Sequence, residues 1–154
     1  MKTIPLTQGK VALVDDEDFE RVSQFKWYYT QAGYACRSLP VSGRKKTIQL
    51  MHRLIMGEPE GMEVDHRKHG DTLNNQKDNL RAATHQQNLC NRGKNRNNTS
   101  GHKGVSWNKL RGKWRAQIKH GYKNRYLGLF TDIQDAISAY ATAAKQLHGE
   151  FART

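Results

Sequence analysis

The chain has 154 residues, of which 36% are hydrophobic, and its mean hydropathy is −0.90. This length suits one ordinary domain or two small ones, and the polar composition predicts modest cores joined by polar segments. No apolar run approaches the roughly 20 residues of a membrane span. The N-terminus lacks the apolar stretch of a signal peptide, so we expect a cytoplasmic protein that is neither secreted nor membrane-bound.

Positive charge accumulates toward the C-terminus. The formal net charge is +12 and the isoelectric point is about 9.9. Residues 1–63 carry nine basic and eight acidic side chains (+1), residues 64–98 seven and three (+4), and residues 99–154 ten and three (+7). An excess of this size and distribution favours a polyanion partner, and nucleic acid is the usual one.

The first elements of the chain are predicted to be a hairpin and a short helix. Apolar runs on both sides of Gly9 predict two strands over residues 4–14. The carboxylates of Asp15 and Asp16 can satisfy free amides in the first turn of a helix, so we expect one to begin there. Its apolar side chains recur at helical spacing: Phe19, Val22 and Phe25.

A second hairpin is predicted over residues 27–50. It is rich in aromatic residues at first, is interrupted at residues 40–43, and resumes with an apolar pattern at residues 47–50. A short helix that carries His52 and Arg53 should follow and end at Gly57. Together these elements predict a β-hairpin and helix extension ahead of the most polar part of the chain.

The segment at residues 62–66 predicts a strand that leads into a polar loop. Alternation along a strand sends the neighbouring side chains of Asp65 and His66 in different directions, so one can hold a metal ion while the other addresses water. Thr84 and Gln87 make a capping-box pattern, which predicts a helix with Asn88 about one turn from its start. Asp65 and Asn88 are then candidate oxygen ligands of one Mg²⁺-like ion.

The motif V-D-H, a loop rich in Asp and Asn, and N-L-R-x-x-T-x-x-x-N resembles the HNH endonucleases with the ββα-metal fold, particularly the phage and intron-encoded homing type. His66 and Asn79 are 13 residues apart, and Asn79 and Asn88 are 9 apart, which suits the His-Asn-Asn variant of that motif. By position the resemblance implies that His66 is the general base and that Asp65 and Asn88 are metal ligands. It implies that Asn79 completes the catalytic set by bracing the loop, and Asn74 and Asn75 suit loop geometry.

The resemblance implies hydrolysis of phosphodiester bonds with one divalent cation, for which Mg²⁺ is the expected ion and Mn²⁺ the alternative. No structural zinc is expected, because Cys36 and Cys90 lie far apart with no C-x-x-C spacing. Arg81 is a candidate contact to a flanking phosphate, since its planar fork matches phosphate oxygens. Arg53, with His52, lies in a segment similar to one that precedes the motif in those enzymes, so both are candidates for packing or for phosphate contact.

A basic segment without apolar residues follows the motif. It cannot bury anything, so we expect an exposed flexible linker over residues 92–100. The predicted domains are therefore residues 1–91, with the nuclease motif at 62–91, and residues 101–154. The second domain should contain three strands and one helix, the helix opening at Thr131.

The C-terminal domain is predicted to expose a basic sheet face. Alternation along residues 114–119 puts Trp114, Ala116 and Ile118 on one face and the polar side chains on the other. The motifs K-G-V-S-W, G-K-W-R-A-Q-I and Y-L-G-L-F-T resemble the plant ethylene-response-factor (AP-two) DNA-binding domain, in which a three-stranded sheet enters the major groove. That resemblance implies these DNA contacts: Lys103, Trp107, Arg111, Lys113, Arg115, Gln117, Lys119, Arg125 and Tyr126.

The sequence thus predicts an α+β protein: a ββα-metal HNH unit with an N-terminal extension, then a three-stranded antiparallel sheet packed on one C-terminal helix. The predicted function is cleavage or nicking of double-stranded DNA by a monomer or homodimer, encoded by a phage or mobile element in a bacterial host. A non-cleaving DNA-binding regulator or packaging accessory that uses the HNH fold as a scaffold is the alternative. An RNA-directed protein is a third.

Overall fold

The computed structural model describes residues 1–40 and 46–153. The chain forms two compact units, Met1–His85 and Gln86–Thr154. The predicted mixture of small antiparallel sheets and helices is confirmed. Among the helices of the described ranges, none is long and apolar enough to cross a membrane.

The first unit begins with the predicted hairpin. Strands β1 (Lys2–Pro5) and β2 (Val11–Val14) pair antiparallel, with Ile4 opposite Ala12. Helix α1 (Asp16–Ser23) follows and buries Val22. Its N-cap residue is Asp15, but that side chain makes no capping hydrogen bond. The predicted role of Asp15 is therefore corrected, because its carboxylate bonds to a distant loop instead.

The second sheet has three strands in the order β3 (Tyr28–Tyr29), β4 (Ala35–Pro40) and β5 (Lys46–Leu50), all antiparallel. The predicted second hairpin lies within it. The interruption expected at residues 40–43 falls, from residue 41 onward, outside the described residues. Helix α2 (Met51–Ile55) comes directly after β5 and buries Met51, His52 and Ile55.

The motif itself forms a two-stranded antiparallel sheet. Strand β6 (Glu63–His66) pairs with β7 (Leu80–Ala83), so Asp65 lies opposite Arg81 and His66 opposite Leu80. One turn of 3-10 helix at residues 77–79 leads into β7. The two strands share an apolar core with the N-terminal elements, whose buried members are Ile4, Leu6, Ala12, Val14, Val22, Trp27, Ala35, Met51, Ile55, Val64 and Leu80. The motif strands therefore depend on residues that precede them for burial.

Strand β2 also holds the loop between β6 and β7. The backbone N–H of Leu13 donates to the carbonyl of Leu73 at 2.8 Å, and the N–H of Asn75 donates to the carbonyl of Leu13 at 2.8 Å. Asp15 continues the attachment, because its carboxylate accepts hydrogen bonds from the Lys77 N–H at 2.8 Å and the Gln76 Nε2 at 2.9 Å. The polar loop is thus an additional edge segment of the N-terminal hairpin.

Replacement of Asp15 by asparagine is expected to destabilise the first unit by about 1 to 2 kcal/mol at neutral pH, because hydrogen bonds to a charged acceptor are lost. The backbone N–H of Lys77 and the Gln76 amide hold the pKa of Asp15 below its ordinary value of 3.8. The carboxylate's contribution is therefore full above that ordinary value and is lost as the pH falls through the lowered folded pKa. Urea unfolding at several pH values measures it, with the exposed Glu20→Gln as control. A deficit that persists unchanged at pH 2 would contradict this reasoning.

Helix α3 (His85–Asn91) begins one residue after Thr84, as predicted, and all but its first residue belong to the second unit. Residues 92–100 that follow contain no helix or strand. They are tied by local hydrogen bonds, since Asn98 Oδ1 accepts from the Gly101 N–H at 2.8 Å and Ser100 donates to the Val105 carbonyl at 2.7 Å.

The second unit contains the predicted sheet and helix. Strands β8 (Val105–Asn108), β9 (Lys113–His120) and β10 (Lys123–Phe130) are antiparallel in the order β10-β9-β8, and α4 (Ile133–His148) follows. The helix is capped by Asp132, which accepts from the Gln134 N–H at 2.8 Å, and not by Thr131 as predicted. The core between sheet and helix is buried at Val105, Ala116, Ile118, Ala136, Tyr140, Ala143 and Ala144.

Candidate active site

The adjacent side chains at the end of β6, Asp65 and His66, point in different directions and contact different residues, as strand alternation predicts. Asp65 and His66 are 6% and 5% exposed. The Asp65 carboxylate faces Arg81 across the sheet, and its Oδ2 accepts from Nε at 3.0 Å and Nη2 at 2.8 Å. The Asp65 and Arg81 side chains are only 7% and 6% exposed. A buried carboxylate that is paired with a guanidinium therefore lies beside a buried imidazole.

This geometry bears on the predicted contact of Arg81 with a flanking phosphate, which stays a prediction. A phosphate contact needs a guanidinium that reaches solvent, whereas that of Arg81 is buried and bonds to Asp65. Arg53 is likewise engaged within the protein, since its Nε donates to Glu58 at 3.1 Å and its Nη1 to the carbonyl of Met62 at 3.1 Å. Both arginines therefore stabilise backbone or side chains around the motif.

The imidazole of His66 has a specific hydrogen-bond partner. Its Nε2 lies 3.2 Å from Oδ1 of Asn75, a residue that is 1% exposed. Burial lowers the pKa of His66 below its ordinary value of 6.5, against smaller opposing effects of the Asn75 bond and of Asp65. The ring is therefore neutral near pH 7 and can accept a proton. Sequence reasoning assigned Asn75 to loop geometry only, because nothing local indicates that its side chain turns inward.

Two further rings surround His66. The ring of His52 lies edge-on to it with centroids 4.9 Å apart, and the ring of Tyr34 lies 5.9 Å away. The turn that carries Tyr34 is attached to the motif loop, because the Thr72 hydroxyl donates to the carbonyl of Gly33 at 2.5 Å. Burial lowers the pKa of His52 to about 3, and its Nδ1 is buried without a hydrogen-bond partner among the described residues. Of its two predicted roles, the structure supports packing.

Asn79 lies at the base of the loop and makes the contacts expected of a brace. Its Nδ2 donates to the carbonyls of Asn74 at 2.8 Å and Asp71 at 3.3 Å, while its Oδ1 accepts from the Lys68 N–H at 3.1 Å. Its backbone carbonyl accepts from the Arg67 N–H at 2.8 Å. One side chain thus connects both ends of the loop that follows β6.

The predicted second ligand, Asn88, lies in α3 within the second unit. It is half-buried and has interactions of its own. Within residues 1–40 and 46–153, His, Cys, Asp and Glu side chains do not converge in groups of three that could hold a metal ion. An ion at this site would therefore need amide oxygens or water among its ligands.

The predicted DNA contacts of the second unit do not share one surface. Residues paired across antiparallel strands lie on the same face, and the face packed on α4 contains Val105, Ala116 and Ile118. Trp107 pairs with Trp114, which packs against this core, and Arg125 pairs with Ile118, so both belong to the α4 side. The other predicted strand contacts point away from α4: Lys113, Arg115, Gln117, Lys119 and Tyr126.

This outer face is mostly basic and polar. It also contains Ser106 and Asn108 of β8 and Asn124 and Leu129 of β10, and Tyr126 is 63% exposed. Arg115 Nη2 lies 3.4 Å from the Ser106 hydroxyl, and its Nε is buried without a partner among the described residues. Three cations and one exposed aromatic ring therefore occur on an open sheet face.

Two other predicted contacts lie off the sheet. Arg111 is exposed in the turn between β8 and β9. Lys103 is half-buried, its ammonium donates to the carbonyl of Cys90 at 2.5 Å, and burial lowers the pKa of the amine. The predicted DNA contact of Lys103 stays a prediction, and in this structure its ammonium group satisfies a carbonyl at the C-terminal end of α3.

Comparison with known proteins agrees with the motif. A family model described as HNH endonuclease matches residues 50–90. An uncharacterized HNH endonuclease of Acanthamoeba polyphaga mimivirus is 33% identical over 150 residues, which cover 94% of this chain and 74% of that protein. Protein 3.8 of Escherichia phage T7 is 35% identical over 100 residues, which cover 62% of this chain and 77% of that protein. No solved structure gives a significant match. With its Asp-His pair on one strand of the matched segment, the chain belongs to the HNH endonuclease family.

Proposed function

We propose that this protein is a metal-dependent DNA endonuclease of the homing type, in which the HNH motif cuts and the C-terminal sheet binds duplex DNA. The observation that carries the proposal is a buried His66, whose pKa is lowered by burial, directly beside Asp65 on one strand, with the Asp65 carboxylate paired to Arg81. A neutral imidazole can take a proton from water, and a carboxylate can hold a cation. The net charge of +12 is suited to a polyanionic substrate.

In the proposed reaction the imidazole of His66 removes a proton from a water molecule. The water oxygen then forms a bond to phosphorus while the bond from phosphorus to the 3′ oxygen breaks, and the departing oxygen takes a proton from solvent. Asn79 acts indirectly, because its three side-chain hydrogen bonds hold the loop that begins at His66. Precise placement of a general base contributes through proximity as well as through proton transfer.

The residues that would hold the cation in this proposal are Asp65 and Asn88, as in the ββα-metal fold that the motif resembles. Carboxylate and amide oxygens are the donors that Mg²⁺ accepts, and Mg²⁺ commonly keeps several water ligands, so the donor set fits the group. A bound cation would neutralise charge on the scissile phosphate. The Arg81 bonds to Oδ2 fix the orientation of the Asp65 carboxylate in advance.

We further propose the domain division 1–91, 92–100 and 101–154, with an ethylene-response-factor type module at the end that enters the major groove. The major groove admits β structure as wide as a two-stranded ribbon. The outer face has cations at Lys113, Arg115 and Lys119 and an amide at Gln117, which suit phosphate and base contacts respectively. Origin in a phage or mobile element agrees with the viral relatives.

Cleavage is tested by incubating supercoiled plasmid with the protein and Mg²⁺, Mn²⁺ or EDTA. Conversion to open-circular or linear DNA with either ion and none with EDTA is expected. Tight, salt-sensitive DNA binding without cleavage at any ion concentration would overturn the proposal in favour of the non-cleaving alternative. Preferential cleavage or binding of structured RNA over duplex DNA at matched salt would favour the RNA-directed alternative.

Simultaneous replacement of Lys113, Arg115 and Lys119 by alanine is expected to weaken DNA binding. The slope of log K against log salt, which is negative, should become less steep by about 0.9 for each phosphate contact removed. Fluorescence anisotropy with labelled duplex at several salt concentrations measures both quantities. The control removes the same charge elsewhere, through alanine at the exposed Lys10, Lys26 and Lys145. Equal binding by the two triple variants would exclude the outer sheet face as the DNA-binding surface.

A further inference from the structure

We propose that Tyr122, in the turn between β9 and β10, is a substrate-contact residue for the sugar-phosphate backbone of DNA. Its ring packs against a deoxyribose, and its phenol O–H donates to a neighbouring phosphate. This inference rests on the proposed function, which supplies duplex DNA as the substrate and α3 as part of the cutting site. It adds a DNA contact to those that the sequence predicted.

The backbone of Tyr122 is strained. His120 pairs with Lys123, so Gly121 and Tyr122 alone make the turn, with φ of 55° and 61° respectively. A two-residue hairpin turn with positive φ at both positions favours glycine, asparagine or aspartate, and tyrosine is disfavoured there because of its Cβ. Strain of this kind occurs preferentially where a side chain binds a ligand.

Packing does not account for the tyrosine either. Its side chain is 82% exposed, and the ring is not among the residues of the core between sheet and helix. An exposed aromatic ring contributes little to the stability of the fold, so the strained backbone is not offset by burial. Contact with a partner gives the ring the burial that the free protein lacks.

The charges around the turn identify that partner as a polyanion. Lys119 and Lys123 are exposed on the two strands that the turn connects. Between Asp78 and Asp132 the sequence contains no acidic residue, so no carboxylate of this segment opposes an approaching phosphate. Tyrosine is one of the side chains that contact DNA phosphates.

The turn also lies beside α3. A methyl group on Gly121 would be 3.5 Å from Nε2 of Gln86, and both residues belong to the second unit. Gln86 precedes Asn88 by two residues in the same helix, and Asn88 is the second cation ligand in the proposed function. A DNA strand bound at α3 therefore passes within reach of Tyr122, close to the bond that is cut.

The test compares DNA affinity with local stability in Tyr122→Asn, because asparagine tolerates positive φ. Fluorescence anisotropy with labelled duplex in EDTA should show a Kd raised about three- to tenfold. Hydrogen exchange of the β9 amides in the full chain should be slowed about two- to fivefold, because strain is relieved. A tyrosine needed only for folding would give faster exchange instead. Tyr122→Phe keeps the ring and should lose less affinity than Tyr122→Asn.

Gln8→Asn is the matched control, since Gln8 is exposed in the first unit with φ of 62°, and its DNA affinity should equal that of wild type. Tyr122→p-benzoylphenylalanine should crosslink on irradiation to nucleotides next to the cleaved bond. The inference is overturned if Tyr122→Asn binds DNA as wild type does, if its β9 amides exchange faster, or if the crosslinks lie away from the cut. Wild-type protein that binds DNA without cutting would overturn the proposed function, while the affinity of Tyr122→Asn still decides the contact.

Discussion

Replacement of His66 by alanine is expected to slow DNA cleavage by about 10²- to 10⁴-fold, the usual contribution of a general base. The imidazole is neutral because burial lowers its pKa, and its Asn75 contact holds one ring nitrogen at 3.2 Å. Alanine removes the proton acceptor and leaves the Asp65 carboxylate in place. Substrate binding by the basic sheet should be unaffected, since that sheet lies in the second unit.

The measurement is the single-turnover rate of plasmid nicking with saturating protein and Mg²⁺. DNA affinity is determined in parallel, so that loss of binding is distinguished from loss of chemistry. His69→Ala is the matched control, because His69 lies exposed in the same loop and should cleave at the wild-type rate. Equal nicking by wild type and His66→Ala would remove His66 from the mechanism.

Replacement of Arg81 by methionine is expected to destabilise the first unit by about 3 to 5 kcal/mol, the usual result of removing one partner of a buried ion pair. The reason is that the Asp65 carboxylate, which is 6% exposed in this structure, would stay buried after losing the two guanidinium hydrogen bonds of 3.0 and 2.8 Å. Unfolding of this unit can be followed by Trp27 fluorescence in a background with Trp107→Phe and Trp114→Phe, which removes the tryptophans of the second unit.

A control variant and a double variant show whether the loss of stability comes from the buried carboxylate left without its partner. Lys26→Met, at an exposed position of the same unit, should change stability by less than about 0.5 kcal/mol. The double variant Asp65→Leu, Arg81→Met should recover much of the lost stability, because apolar residues can replace a buried pair when both charges are removed. It should remain inactive for lack of Asp65. An Arg81→Met protein as stable as wild type would show that the ion pair is not needed to compensate the buried carboxylate.

Local patterns were sufficient to predict most elements of this protein. Alternation identified the strand ending at His66 and separated the surroundings of Asp65 and His66. A capping pattern after Thr84 predicted the start of α3. The same arguments predicted the three strands and the helix of the second unit, although the cap is Asp132 instead of Thr131. These features depend on neighbours within a few residues, so the sequence contains the necessary information.

Pairing across long separations was not predictable in this way. The residues next to Arg81 and Lys103 in the sequence are like those next to surface cations. In the structure, however, Arg81 is buried in an ion pair with Asp65, and the ammonium of Lys103 donates to the Cys90 carbonyl. Strand register, which no single strand encodes, assigned Trp107 and Arg125 to the α4 side of the sheet and Lys113, Arg115 and Lys119 to the other.

The motif between Val64 and Asn88 depends both on local sequence patterns and on contacts between distant parts of the chain. The sequence by itself determined the residue types, their spacing and the secondary structure that carries them, because these follow from local backbone geometry. Only the tertiary structure decided that β2 holds the loop, that Asn75 turns its amide to His66, and that His52 packs against the same ring. Those contacts join residues 9 to 62 positions apart along the chain. The hydrogen-bonded ones are selected because buried polar groups must be satisfied.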